Sequence, residues 1–509
     1  MENIIEQDFV LDRCKPIDLV DTAFALVWPI LLISVFCALG EGMMHWFIVP
    51  LYLCGVIVGF DAIRWIRGKM DTYDPKGIIG LIGMHFFVSA PLLVAFYNAD
   101  KVGQVYVSDW RPWLGKIAIY SFIGLVFYNV FQRLSFNKQS KTINTYWSLN
   151  YSKCAAWVPL FLVAISTLHL VFMFKMGGLA GFIKVRTYGF QAVDVTGWGP
   201  AMVFGRSLPI MILIAITLWR YDKLNRSANI FVVGSIIFIF LIIQFFVAGL
   251  TGSRSATLWG LFWATGIIHF FWRRLSVKLI LIFMIPFITF MYLYGFYKAM
   301  GSNAIQAIKQ GATIESLSYE SGRSFSSMLV GDLSRADVQA AQLYVLESKP
   351  WHYRYRFGST YLTSVVPLIP RKIWPSKPTD AGKVIAGTEM LYGAGTYQGQ
   401  ALYMTGKRST RVYGLAGEAM LNFGICGIVL VFAIWGYVAG YIRRRLAGLR
   451  YRDMRLLTIP FWINICFLIL INDVSNHVAY MLYKWLIPAI LIFLVSSKLI
   501  LSYPEQQET

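Results

Sequence analysis

The sequence predicts an all-α polytopic membrane protein with about twelve transmembrane helices and one large loop on the outer side. Three observations predict it. The chain has 509 residues, of which 57% are apolar and 14% charged, with a mean hydropathy of +0.58. Apolar runs near the length of a membrane span recur along it. Its basic residues fall unevenly between alternate loops. Ordinary soluble domains are about 45–50% apolar and about 25% charged, so composition excludes a soluble enzyme, a disordered chain and a fibrous one. The formal charge of +20 does not point to nucleic acid. On so apolar a chain a basic excess reflects cytoplasmic loops that retain Lys and Arg.

A spanning helix needs about 20 mostly apolar residues. Twelve segments qualify: 23–39, 45–62, 78–97, 114–132, 155–174, 199–219, 228–249, 255–272, 276–298, 412–440, 455–472 and 479–502. The first and eleventh are short, and the tenth is long enough to begin outside the hydrocarbon. No small-residue cleavage site follows the first run, so it is expected to stay as a helix. Residues 1–298 form an N-terminal membrane region of about nine helices, 299–411 a large loop, and 412–509 a C-terminal membrane region of about three helices.

An even number of spans places both termini on one side. The N-terminal arm, the loops 63–77, 133–154, 220–227, 273–278 and 441–455, and the C-terminal end of the chain from Lys498 on together hold 23 Lys and Arg. The short loops on the other side hold 6. Positive loops stay inside, so both termini are expected in the cytoplasm and loop 299–411 outside, in the periplasm of a Gram-negative cell or on the outer face of another. Arg443, Arg444 and Arg445 form the strongest topological stop.

Loop 299–411 carries 13 Lys and Arg against 7 Asp and Glu. Long loops are exempt from the positive-inside rule, so this excess needs another reason. The loop is too rich in Tyr, Leu, Ile and Val for disorder. Residues 303–310 and 335–347 have helical patterns, the second preceded by the N-cap candidates Asp332 and Ser334. An aromatic-basic run follows at 351–356, then the stretch 366–378, whose Pro367, Pro370, Pro375 and Pro378 prevent a regular helix. A Gly/Tyr-rich stretch covers 393–405. The loop has no cysteine, and the chain has no CxxC and no His cluster, so neither a disulfide nor a His/Cys metal site is expected.

Outward-facing cations beside a membrane suit an anionic substrate, and the planar fork of Arg matches phosphate. Neighbouring aromatics suit the apolar faces of sugars. Thr251-Gly252-Ser253-Arg254-Ser255-Ala256 joins two helices on the outer face. Its small residues would let phosphate approach a helix start, with Arg254 as counter-ion; the plainer reading is a tight turn with a snorkelling Arg. Arg206 lies inside the sixth segment and Lys484 inside the twelfth. Such charges mark function, snorkelling or a structural pair. Glu418, in GEAMLNFG, would orient an Arg, act as a base for a sugar hydroxyl, or form a structural ion pair. His352 titrates near neutrality beside two Arg and is either another base candidate or a surface residue.

Three stretches resemble the Wzy-type polymerases of O-antigen and related polysaccharide repeat units, a family related to the O-antigen ligases. TGSRSA, 251–256, is similar to their SR motif. FGSTYLTSVVPLIPRKIWPSKP, 357–378, resembles their Gly…Pro-Arg…Trp-Pro-x-Lys-Pro stretch. GEAMLNFGICG, 417–427, is similar to their acidic residue and Asn-Phe-Gly-x-x-Gly. With the helix layout, the resemblance covers most of the chain. It implies a GT-C-like, metal-independent glycosyltransferase without a cofactor. Such an enzyme moves a growing glycan from undecaprenyl pyrophosphate to the terminal sugar of an incoming lipid-linked repeat unit at the periplasmic face. It implies membrane lipid and a chain-length regulator protein as partners, and no nucleic acid.

Arg254, Arg371 and Lys377 match motif positions and would stabilise the leaving pyrophosphate. Glu418 also matches one. Charge and placement, not a motif, add Arg335 and His352 to the catalytic candidates, and Arg186, Arg206, Arg323 and Arg354 to the substrate-binding ones. The ligases carry a His where this chain has Gly414-Leu415-Ala416-Gly417-Glu418, which argues against a ligase. A lipid-linked-sugar transporter would show paired half-repeats or broken helices; the lone large loop makes the halves unequal.

Overall fold

The computed structural model describes residues 16–97, 101–102, 105–138, 145–188, 204–224, 226–250, 254–332, 334–366, 369, 373–376, 382–393, 396 and 411–500. Among them, nine helices are long and apolar enough to cross a membrane, and three more are apolar but shorter. The chain is an all-α multi-pass membrane protein. The long helices are α1 (Leu19–Leu39), α2 (Ile48–Ile66), α3 (Pro75–Tyr97), α4 (Arg111–Asn137) and α5 (Tyr151–Lys175). After α6 (Gly178–Tyr188) and the short α7 (Leu208–Trp219) come α8 (Ile230–Gly249), the short α9 (Ala256–Trp272) and α10 (Val277–Met300). The large loop holds α11 (Ser302–Lys309), α12 (Ile314–Ser321), α13 (Ala336–Ser348), α14 (Ser359–Leu362) and α15 (Gly382–Tyr392). The chain closes with α16 (Gly414–Ala447), the short α17 (Ile459–Leu468) and α18 (Val474–Val495).

Several helices start on side chains that satisfy their first free N–H groups. Asp18 and Asp21 form a capping box on α1, Asp74 precedes Pro75 on α3, and Asn150, Asn229 and Ser276 cap α5, α8 and α10. These caps lie at one end of the bundle, where polar connections meet. Arg67 pairs with Asp21 at 2.5 Å, Arg443 with Asp74 at 2.8 Å, and Arg455 Nη2 donates to Thr145 O at 2.7 Å. Tyr451 Oη donates to Leu224 O at 2.9 Å. Strand β1 (Thr145–Leu149) pairs antiparallel with β2 (Ser496–Ile500) at the same end. At the other end, Arg111 Nη1 donates to Gly42 O at 2.5 Å, Lys116 pairs with Glu347 of α13, and Leu415 N donates to Ile469 O at 2.9 Å. The large loop packs on this second end.

The most extensive helix pair among the described residues is α4 with α16. Gly436 and Gly440 face it: an added Cβ would lie 2.3 Å from Tyr128 O and 2.4 Å from Gln132 O. Small residues four apart let two backbones meet in lipid, where packing replaces the hydrophobic effect.

Three sequence expectations need correction. The last helix ends at Val495, not 502, because Ser496 turns extended and pairs with β1. The eleventh apolar helix spans only Ile459–Leu468, after a 3₁₀ turn at Met454–Leu457. The loop is more helical than its pattern suggests: α12, α14 and α15 accompany the two helices expected at 303–310 and 335–347. Ser334 accepts the N–H of Ala336 at 3.0 Å at the start of α13. Residues 394–395 and 397–405 of the Gly/Tyr-rich stretch lie outside the described residues, as do Pro367, Pro370, Pro378 and the side chain of Asp332.

Candidate functional site

The site begins with a broken helix. Within α16, Gly424 takes φ +64° and ψ −151°, which interrupts the helical backbone. A side chain there would be strained and its Cβ would sit 2.9 Å from Tyr355 Oη. A helix break frees carbonyls that need donors inside an apolar bundle. The loop supplies them. Arg356 N donates to Leu421 O at 3.1 Å, Tyr353 Oη to the same oxygen at 2.8 Å, and Phe357 N to Asn422 O at 3.1 Å.

Side chains complete the junction. Asn422 accepts the N–H of Gly358 at 2.9 Å and donates to Thr360 Oγ1 at 2.7 Å and to Glu418 O at 2.8 Å. Thr360 donates to Glu418 Oε1 at 2.9 Å. The other carboxylate oxygen of Glu418 accepts Val474 N at 2.7 Å, from the first residue of α18. Glu418, Asn422 and Thr360 are buried. Two of the three stretches that carried the family resemblance, 357–378 and 417–427, therefore meet in one hydrogen-bonded unit.

Asp473 extends this unit. Its Oδ1 accepts Tyr413 N at 2.8 Å and Gly414 N at 3.1 Å, and its Oδ2 accepts Lys383 Nζ of α15 at 2.9 Å. One buried carboxylate thus joins the starts of α16 and α18 to the loop. Lys383 also reaches Asn476 Oδ1 at 3.4 Å.

Asn476 leads to a cavity of about 170 Å³, lined by Arg206, Ala256, Asn476, Ala479, Tyr480, Tyr483 and Lys484. The α18 residues recur at helical spacing, so one face of α18 lines it. Two cations line it and no carboxylate does, among the described residues. Lys484 donates to Ala256 O at 3.0 Å, and its Nζ lies 4.9 Å from the Tyr480 ring centroid. Gln244 donates to the same carbonyl at 3.0 Å. Lys484 is buried and Arg206 half-buried beside it; holding two like charges together among apolar helices is costly, and an anion would offset that cost with charge-assisted bonds.

No protein-family model, curated protein or solved structure matches the chain. Among the described residues no group of three or more His, Cys, Asp or Glu is placed to hold a metal ion.

The structure places the other sequence candidates as follows. Arg254 opens the helix that continues into α9, but its side chain lies outside the described set, as do the side chain of Arg186 and all of Arg371 and Lys377. Arg335 donates from Nε to Ile471 O at 3.0 Å and from Nη1 to Gly331 O at 3.2 Å, binding the loop to the α17–α18 connection. His352 lies beside Gly393, and burial with the Lys349 charge holds its pKa below the usual histidine value. Arg354 is exposed, and Arg323 follows α12, where its N–H donates to Ser321 Oγ at 3.2 Å.

Sequence reasoning missed Thr360, Asn422, Lys383, Asp473 and His477. The Nδ1 of His477 lies 2.9 Å from Asp473 O, a carbonyl that only accepts, so Nδ1 carries the proton. Its Nε2 is buried without a hydrogen-bond partner among the described residues. The one signal for Asn422 was its place in the Asn-Phe-Gly stretch. For the rest, spacing along the chain carried none.

Proposed function

We propose that the chain is a polymerase of lipid-linked oligosaccharide repeat units in the bacterial inner membrane, with both termini cytoplasmic and the loop periplasmic. The observation that carries this reading is the cavity of Arg206 and Lys484, which no carboxylate lines among the described residues. It opens beside the unit in which two polymerase-like stretches meet. Two cations in such a lining suit the pyrophosphate of a polyprenyl donor.

In this reaction the bond between the sugar's anomeric carbon and the pyrophosphate oxygen breaks. An acceptor hydroxyl of the incoming unit forms the new glycosidic bond and gives up its proton. Undecaprenyl pyrophosphate leaves as the anion. Arg206 and Lys484, with Arg254 and the motif-matched Arg371 and Lys377, would stabilise that developing charge. Both oxygens of Glu418 are already engaged, by Thr360 and Val474. This supports a positioning role that holds the loop over the cavity, rather than proton abstraction.

The genetic test measures polysaccharide chain length in cells carrying Arg254→Ala, Arg371→Ala or Lys484→Met at normal protein levels. Single repeat units are expected in each. Wild-type chain lengths in all three would sink the assignment.

A further inference from the structure

The turn that seals Glu418 is built inside out. Thr360 and Ser364, one helical turn apart, are 1% and 3% exposed, and Thr360 points toward α16. Ser364 Oγ donates to Thr360 O at 2.9 Å, and Thr360 bonds Glu418. On the outward side stand Phe357, Leu362 and Val365, exposed by 77%, 72% and 47%. A turn in water would place these residues the other way round.

What covers this apolar side follows from its neighbour. The chain is strapped to α16 at Leu421 and Asn422, and Gly358 and Tyr361 lie against Phe423; the Tyr361 and Phe423 ring centroids are 6.4 Å apart. Phe423 is exposed at the break, and past Gly424 a stripe of Leu430, Ile434 and Tyr437, all exposed, runs along α16. Leu430, Ile434 and Tyr437 recur at helical spacing on a helix long and apolar enough to span a membrane. The outward face of 357–365 therefore lies beside Phe423 at the head of a span whose exposed stripe faces lipid. Aromatic and aliphatic residues at the end of a span belong to the membrane–water interface.

We infer that residues 357–365 dip into the outer interface of the bilayer, with Phe357, Leu362 and Val365 among the lipid chains. The large loop then has two holds: hydrogen bonds on its polar side and lipid on its apolar side. This placement does not depend on the reaction proposed above.

The test uses the full chain in lipid nanodiscs, with its six cysteines replaced by alanine or serine. A nitroxide is attached at Leu362→Cys or at Val365→Cys. Tyr319→Cys, at a residue 91% exposed in α12, serves as the aqueous reference. Leu430→Cys on α16 serves as the lipid reference. Oxygen, which concentrates in lipid, should relax both 357–365 labels more than a water-soluble nickel chelate does, as at residue 430. A pattern like that of residue 319 overturns the inference. So does shelter from both reagents, which would mean that another protein surface covers the turn. If the cysteine-free chain fails the residue 430 and 319 references, the unmodified chain is photolysed with acyl-chain diazirine phospholipid. Cross-links within 357–365 are then expected, and their absence beside cross-linked α16 overturns the inference.

Discussion

Thr360 Oγ1 donates to Glu418 Oε1 at 2.9 Å while accepting from Asn422 Nδ2 at 2.7 Å, so one hydroxyl ties the loop to the broken helix. Thr360→Val keeps the shape but leaves a buried carboxylate oxygen and an amide N–H unsatisfied. Such orphaned groups cost about 1–3 kcal/mol. Limited proteolysis of the loop should speed up accordingly, with little change in the membrane helices.

Glu418→Gln separates positioning from proton transfer. The amide carbonyl can accept Val474 N, and its NH₂ can turn to the Thr360 oxygen, so the junction survives. Polymerisation should fall by less than about tenfold, against the roughly 10²–10⁴-fold expected for loss of a general base. Initial rates on a lipid-linked repeat unit decide between the two.

Lys484→Met removes a buried cation while keeping the length of the side chain. A charge at the centre of a span costs about 2.5–3.5 kcal/mol on insertion scales, and Arg206 nearby adds repulsion. The variant should melt higher than the wild type in substrate-free detergent, yet lose polymer formation. Added pyrophosphate should raise the melting temperature of the wild type and leave Lys484→Met unchanged, because only a ligand that binds the folded state stabilises it.

Gly436→Ala and Gly440→Ala place a methyl 2.3 and 2.4 Å from backbone oxygens of α4. Backbone cannot swing aside as a side chain does, and overpacking costs about 1–3 kcal/mol. Both variants should lower the midpoint of thermal unfolding. Gly234→Ala is the control, since nothing lies within 4 Å of its added Cβ.

Asp337 gives the loop a pH dependence. Burial pushes its carboxyl above the ordinary value of 3.8, although Arg411 lies 3.3 Å away. A raised folded-state pKa means the folded loop holds this proton more tightly than the unfolded chain does. The stability it contributes is present below pH 3.8 and is lost as pH rises through the raised value. Asp337→Asn stays neutral throughout. The stability of the wild type relative to this variant should therefore fall as pH rises above 3.8, measured by thermal unfolding.

Much of the fold was legible because lipid imposes simple rules. Among the described residues, the nine span-length helices and the three shorter apolar ones each overlap an apolar segment read from the sequence. What composition could not show was where backbone hydrogen bonding changes. The run through Leu499 read as helix because it is apolar up to Leu501, but Ser496 leaves the helix to pair with a strand far away in sequence. The π turns at His85–Ser89 and Met481–Trp485 likewise have no periodic signature. In the site, Lys484 stood out because charge inside a span is conspicuous, and Arg206 because it fell in the sixth apolar segment, although it sits in the turn before α7 rather than inside a helix. Thr360 and Asp473 did not, since a threonine or aspartate in a polar connection is ordinary until its partner is known.

The most direct test of the central claim is elongation of a defined undecaprenyl-pyrophosphate-linked repeat unit by the purified chain. A ladder of longer lipid-linked glycans is expected, with release of undecaprenyl pyrophosphate, and its loss in Lys484→Met and in Arg254→Ala. A folded wild-type protein that binds the repeat unit and leaves it unextended would contradict it.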